Sequence, residues 1–151
     1  MNYDALINFW RSQGLSTAGG ATEEQIQSFE RQYQLRVCRE FRTYLSIVNG
    51  ILETDNCDSN IFSFWPLSRL KQVREECPDI EGAKGHESYF VFADYMIWSW
   101  AYAINLDSVH LKAGEVVLLG GNRQQRIAES FEEFIRLYIE DSRYIYAVPL
   151  A

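Results

Sequence analysis

Hydrophobic positions recur along the chain with two different periods, and the change of period marks its segments. Leu6, Phe9 and Trp10, with Ile7 beside them, fall on one helical face, and Gly14 ends that pattern. After the loop "STAGGAT", Thr22 followed by Gln25 is a capping-box signature, and Ile26, Phe29 and Tyr33 supply the inward stripe of a second helix. A third helix is predicted from about Arg39, with Phe41, Tyr44, Leu45 and Val48 inward. Asn49-Gly50 closes it, because a residue tolerant of positive φ is wanted there. Leu67, Leu70, Val73 and Cys77 predict a fourth helix between Pro66 and Pro78. Ser130 and Glu133 repeat the capping-box pattern ahead of a C-terminal helix with Phe131, Phe134, Ile135 and Tyr138 inward.

Between these helices the chain turns to β-branched and aromatic runs. "IFSFWP" predicts a short strand closed by Pro66, and "YFVFAD", "IWSWAYAINL" and "EVVLL" predict three more. In the third of these four, Trp98, Trp100, Tyr102 and Ile104 alternate with Ser99, Ala101, Ala103 and Asn105. "FADYMIWSWAYAINL", residues 92–106, is therefore expected to be a hairpin. Asp94 lies where its first strand ends and has the reach to accept backbone N–H bonds in the turn. The prediction is one α+β domain over 1–151, an antiparallel sheet flanked by N-terminal and C-terminal helices.

Composition narrows the function classes. Fourteen Lys and Arg against twenty-one Asp and Glu give a net charge of -7, which argues against nucleic-acid binding and suits a basic protein partner. Cys38, Cys57 and Cys77 are widely spaced with no C-x-x-C pair, as for idle thiols in a reducing compartment. "MNYDALINFWRSQG" carries Asp4 early and no basic run, so no signal peptide is expected. Asp94 and Asn105 interrupt the aromatic stretch, which is shorter than the ~20 residues of a spanning helix. A cytoplasmic location is expected.

The motifs of catalysis and metal binding are missing. His86 and His110 stand far apart, without H-E-x-x-H or a cysteine pair. "TDNCDSN" lacks the glycine and terminal glutamate of a calcium loop, so Asp55 and Asp58 read as solvated acids. There is no G-x-S-x-G, and the glutamate doublets sit on helices where neighbours diverge by about 100°. Arg31, Arg36, Arg39 and Arg42 make a basic patch diluted by Glu30 and Glu40, the pattern of helix-surface ion pairing. No catalytic residue, metal or cofactor is expected.

Four stretches together resemble the SMI1/KNR4 (SUKH) superfamily: "FERQYQLRVCREFRTYLSIVNG", "FWPL", "FADYMIWSWAYAINL" and "IAESFEEFIRLYIED". They occur in the expected order over most of the chain. Val37-Cys38 departs from the pattern, which usually has leucine-proline before the helix. The resemblance implies an α+β binding scaffold rather than an enzyme. It also implies an immunity protein that neutralises a bacterial toxin, often a nuclease.

Charge and expected exposure nominate two partner-binding segments, Glu53, Asp55 and Asp58 in one, Glu75, Glu76, Asp79, Glu81 and Glu87 in the other. The alternative is a regulatory or small-ligand or peptide-binding module with no toxin partner. Its cleft would be lined by Trp65, Trp98, Trp100 and Tyr102. Nothing in the sequence sets the oligomeric state.

Overall fold

A computed structural model describes residues 3–52, 55–78, 87–120 and 123–146. Three helices come first: α1 (Asp4–Arg11), α2 (Glu23–Tyr33) and α3 (Arg39–Ile47). α2 starts on the full capping box, with the Gln25 N–H donating to Thr22 Oγ1 at 3.1 Å and Gln25 Oε1 accepting from the Thr22 N–H at 2.9 Å. α3 ends where foreseen, with Asn49 at φ 57° and Gly50 at φ 81°. Gly50 also runs against the chain beyond it. A Cβ there would lie 2.7 Å from the Phe64 carbonyl oxygen, so only glycine passes. Asn49 Oδ1 accepts the Leu67 N–H at 2.7 Å, tying this corner to the segment after the first strand.

The strands are β1 (Phe62–Phe64), β2 (Lys71–Gln72), β3 (Tyr89–Tyr95), β4 (Trp100–Asn105), β5 (Val116–Gly120) and β6 (Arg123–Ala128). They form one antiparallel sheet in the order β1-β3-β4-β5-β6, with β2 sharing the outer edge of β3 with β1. The last helix, α5 (Phe131–Ile139), returns across the sheet. Thus the α+β architecture predicted from the pattern is the one observed.

One sheet face packs on α1, α3 and α5 through aromatic rings. Phe92 meets Phe41, Phe131 and Phe134 with ring centroids 5.9, 5.6 and 5.4 Å apart, and Phe64 meets Trp10 at 5.1 Å. Edge-to-face pairs of this kind add about 0.5–1.5 kcal/mol each beyond burial.

Four details differ from the sequence reading. The fourth helix is broken into a 3-10 turn (Leu67–Arg69), β2 and a four-residue α4 (Val73–Glu76), because Lys71 and Gln72 pair with Val91 and Phe90. β6 was unforeseen: "RQQRIA" has little β-propensity and is a strand through pairing with β5. β4 begins at Trp100, three residues later than the expected start at Ile97, because Met96, Ile97 and Trp98 all take left-handed backbone (φ 51°, 52° and 68°) and form the turn. Finally, at α5 the Glu133 N–H donates to Ser130 Oγ at 3.1 Å, but the Glu133 carboxylate accepts from the Glu129 N–H, so the box is half formed.

Candidate partner-binding site

Asp94 does hold the hairpin turn. Its Oδ1 accepts the Trp98 N–H at 3.2 Å, as a turn aspartate should. Its Oδ2 accepts the Trp65 indole N–H at 2.7 Å, a buried bond linking β3 to the end of β1 that local pattern could not reveal. The Arg69 guanidinium covers the other side of that indole, 4.0 Å from the ring centroid.

The four aromatics nominated as a cleft are divided by the sheet. Tyr102 is fully buried on the helix-covered face, against Phe62 and Phe134, and donates to the Ile145 carbonyl at 2.7 Å. Trp100 stacks on Tyr95 at 5.1 Å on that same face. Trp65 is 1% exposed and bonds to Asp94 on the opposite face, where Trp98 donates its indole N–H to Glu76 at 3.2 Å. A strand's alternation separates Asp94 from Tyr95, so the set does not line one cavity.

Asp58 is buried at 4% exposure rather than solvated. One oxygen accepts the Asn60 and Phe62 N–H groups at 2.8 and 2.9 Å. The other accepts the Tyr138 hydroxyl, which itself accepts the Trp10 indole N–H at 2.9 Å. This relay joins α1, α5 and the approach to β1, and it engages both carboxylate oxygens of Asp58 inside the fold. Asp55 is half-buried and accepts the Ser16 N–H at 2.8 Å. Glu53, Asp79 and Glu81 lie outside the described residues, as does His86.

In the second acidic segment Glu75 and Glu87 are exposed. Glu76 is half-buried, engaged by Trp98 and with Lys71 Nζ 3.9 Å away. The basic patch contains one firm pairing: Arg42 forks onto Glu23 at 2.7 and 2.6 Å and reaches Glu30 at 3.3 Å. These bonds hold the Glu23 carboxyl below its usual range and raise the Arg42 guanidinium. They cross from α2 to α3 rather than running along one helix.

Glu75 stands at the rim of a groove of about 470 Å³ between α2 and the segment from Leu67 to α4. Phe29, Tyr33, Leu67 and Leu70 form its apolar walls, with Ser28, Gln32 and Lys71 among the polar groups around them. The walls are rigid, since Phe29 and Tyr33 pack on Phe90 of β3 at 5.2 and 4.8 Å. Burial, and secondly the Glu75 carboxylate, raise the Tyr33 phenol above its ordinary value, placing acid and phenol in one electrostatic neighbourhood. Sequence reasoning took Phe29 and Tyr33 as core and missed their groove side. The sequence signal for it is the position of Tyr33, an amphipathic ring at the last residue of its helix.

No group of three or more His, Cys, Asp or Glu side chains gathers to hold a metal among the described residues. No helix among them is long and apolar enough to cross a membrane.

The model of the SMI1/KNR4 family (SUKH-1) matches residues 20–137, from the approach to α2 through most of α5. The chain belongs to that family. Comparison with curated proteins returns no match. SMI1/KNR4 membership is consistent with binding of a protein partner and with the α+β sheet described above. The stretches that carried the resemblance prove to be structural: the α2–α3 corner, the end of β1, the β3–β4 hairpin and α5. The departure at Val37-Cys38 has a local reason. Cys38 N–H donates to the Leu106 carbonyl at 2.7 Å, a bond that proline, lacking the donor, cannot make.

Proposed function

We propose that this SMI1/KNR4 chain is a non-enzymatic immunity protein of the cytoplasm, which binds a cognate bacterial toxin domain and occludes its active site. The observation that carries the reading is the groove beside Glu75: rigid apolar walls, an acid at the rim, and a chain of net charge -7 around it. A basic toxin domain, such as a nuclease, would be steered by the excess of carboxylates and held by an apolar side chain entering between Phe29 and Leu70. Glu75 supplies the acid at the rim, and exposed Glu87 adds to the negative charge of the same segment of the chain. Such an interface needs no catalytic group on this chain, only a surface placed over the toxin's own site.

Support comes from family membership and from the groove itself. The test is capture followed by challenge. The tagged chain is used to retrieve its partner from the native organism, and the retrieved protein is expressed in cells with and without the chain. A basic partner that kills only unprotected cells establishes the reading. A partner that is harmless in both removes it.

A further inference from the structure

A second cavity lies on the sheet face turned away from α1, α3 and α5. Tyr89 stands opposite Asn105 in the β3–β4 register, and Val117 stands opposite Arg126 in the β5–β6 register. Strand alternation places these residues, with Glu115 just before β5, on that one face. Tyr89, Glu115, Val117 and Arg126 border a cavity of about 450 Å³, within the ~300–1,000 Å³ of small-molecule sites, which shares no residue with the groove at Glu75.

Its charges are arranged asymmetrically. Glu115 is 7% exposed and accepts the Tyr89 hydroxyl at 2.6 Å. Among the described residues no Lys, Arg or His lies within ion-pair distance of its carboxylate. A carboxylate this deep without a cation is costly unless something positive comes to it. Burial, and then the Glu115 bond, raise the Tyr89 phenol, keeping it a donor. Asn105, wholly buried across from Tyr89, sets its side-chain amide beside that phenol. Towards the outside the lining turns basic, with His110, Lys112 and Arg126. His110 Nδ1 accepts the Lys112 N–H at 3.0 Å, which puts the proton of the neutral ring on Nε2, free to donate. Among the described residues the ion pair of Arg126 is an exposed contact to Glu129 at 3.6 Å, a pairing worth little in water.

We propose that this cavity binds a small zwitterion, an amino acid or short peptide, with its ammonium on Glu115 and its carboxylate on Lys112 and Arg126. A simple amine leaves the basic rim unused, and a simple carboxylate meets Glu115 as a like charge. Selection for both ends of one molecule follows from that polarity. The inference stands independently of toxin binding, because it concerns another face of the protein.

The experiment is an amide NMR titration of the full chain with glycylglycine, with N-acetylglycine and ethylamine as single-charge controls. Expected are saturable shifts at Asn105, Glu115 and Val117, with affinity at least about tenfold above either control. Glu115→Gln keeps the Tyr89 bond and removes the charge, and should weaken binding by a similar factor. Lys112→Glu, at an exposed position, provides the same test should the first variant fold poorly. No saturation up to about 10 mM, a response to N-acetylglycine equal to that of the dipeptide, or unchanged binding in the variants would overturn the proposal.

Discussion

Replacing Asp94 by alanine removes both bonds of the hairpin clamp in one step. The bond to the Trp65 indole is short, at 2.7 Å, buried, and made to a carboxylate, a class contributing about 1.5–3 kcal/mol. The bond to the Trp98 N–H is longer, at 3.2 Å, and half-buried, so about 0.5–1 kcal/mol is its share. Trp65 is 1% exposed, so its freed N–H is left buried without its acceptor. The sum is a destabilisation of about 3 kcal/mol, or roughly 6–12 °C in Tm for a chain of this size. Asp94→Asn retains one good acceptor and should fall between the two. Urea unfolding followed by tryptophan fluorescence and far-ultraviolet circular dichroism gives the free energies. Adding Trp65→Phe to each background completes a double-mutant cycle, with an expected coupling of at least about 1 kcal/mol. A loss below about 1 kcal/mol in Asp94→Ala, or a coupling near zero, would refute the clamp.

Three further outcomes follow from burial and backbone. Gly50→Ala forces a Cβ to within 2.7 Å of the Phe64 carbonyl at φ 81°, and should cost at least about 3 kcal/mol by urea unfolding; a loss below about 1 kcal/mol would show that the corner relaxes. Burial raises the Tyr44, Tyr102 and Tyr138 phenols above their ordinary value of 10.0. The folded state therefore prefers them protonated, so their contribution to stability is complete below pH 10 and is lost as pH rises beyond it. Phenolate absorbance of these rings should appear together with unfolding, and its appearance in the folded protein would contradict their burial. Burial likewise pushes the Cys38 and Cys77 thiols up to about 11, so a disulfide reagent near neutral pH should label half-buried Cys57 first and the other two only on unfolding.

The helices were legible because each carries its own signal. Thr22 with Gln25, and the stripe Phe131, Phe134, Ile135 and Tyr138, are local facts of spacing that packing then used as written. What escaped depended on distant partners. "RQQRIA" is a strand only because β5 lies alongside, and Lys71-Gln72 leaves the helical pattern only because Val91 and Phe90 offer backbone pairing. Asp58 looked like a solvated loop acid since Tyr138, its buried partner, lies eighty positions away in the sequence. Of the candidate site, charge alone found Glu75. The groove beside it required α2 and the segment from Leu67 to Lys71 to be placed side by side, and no spacing within either segment encodes that.

Partner capture by groove variants tests the central claim most directly. Ser28→Trp fills the groove from an exposed helical position, and Glu75→Lys reverses its rim charge, neither touching the core. Each tagged variant, checked for wild-type unfolding behaviour, is compared with the wild-type chain for retention of the toxin partner and for protection of cells expressing it. The account predicts that the wild type retains a basic partner stoichiometrically while both variants lose retention and protection together. Full retention and protection by both variants would contradict it.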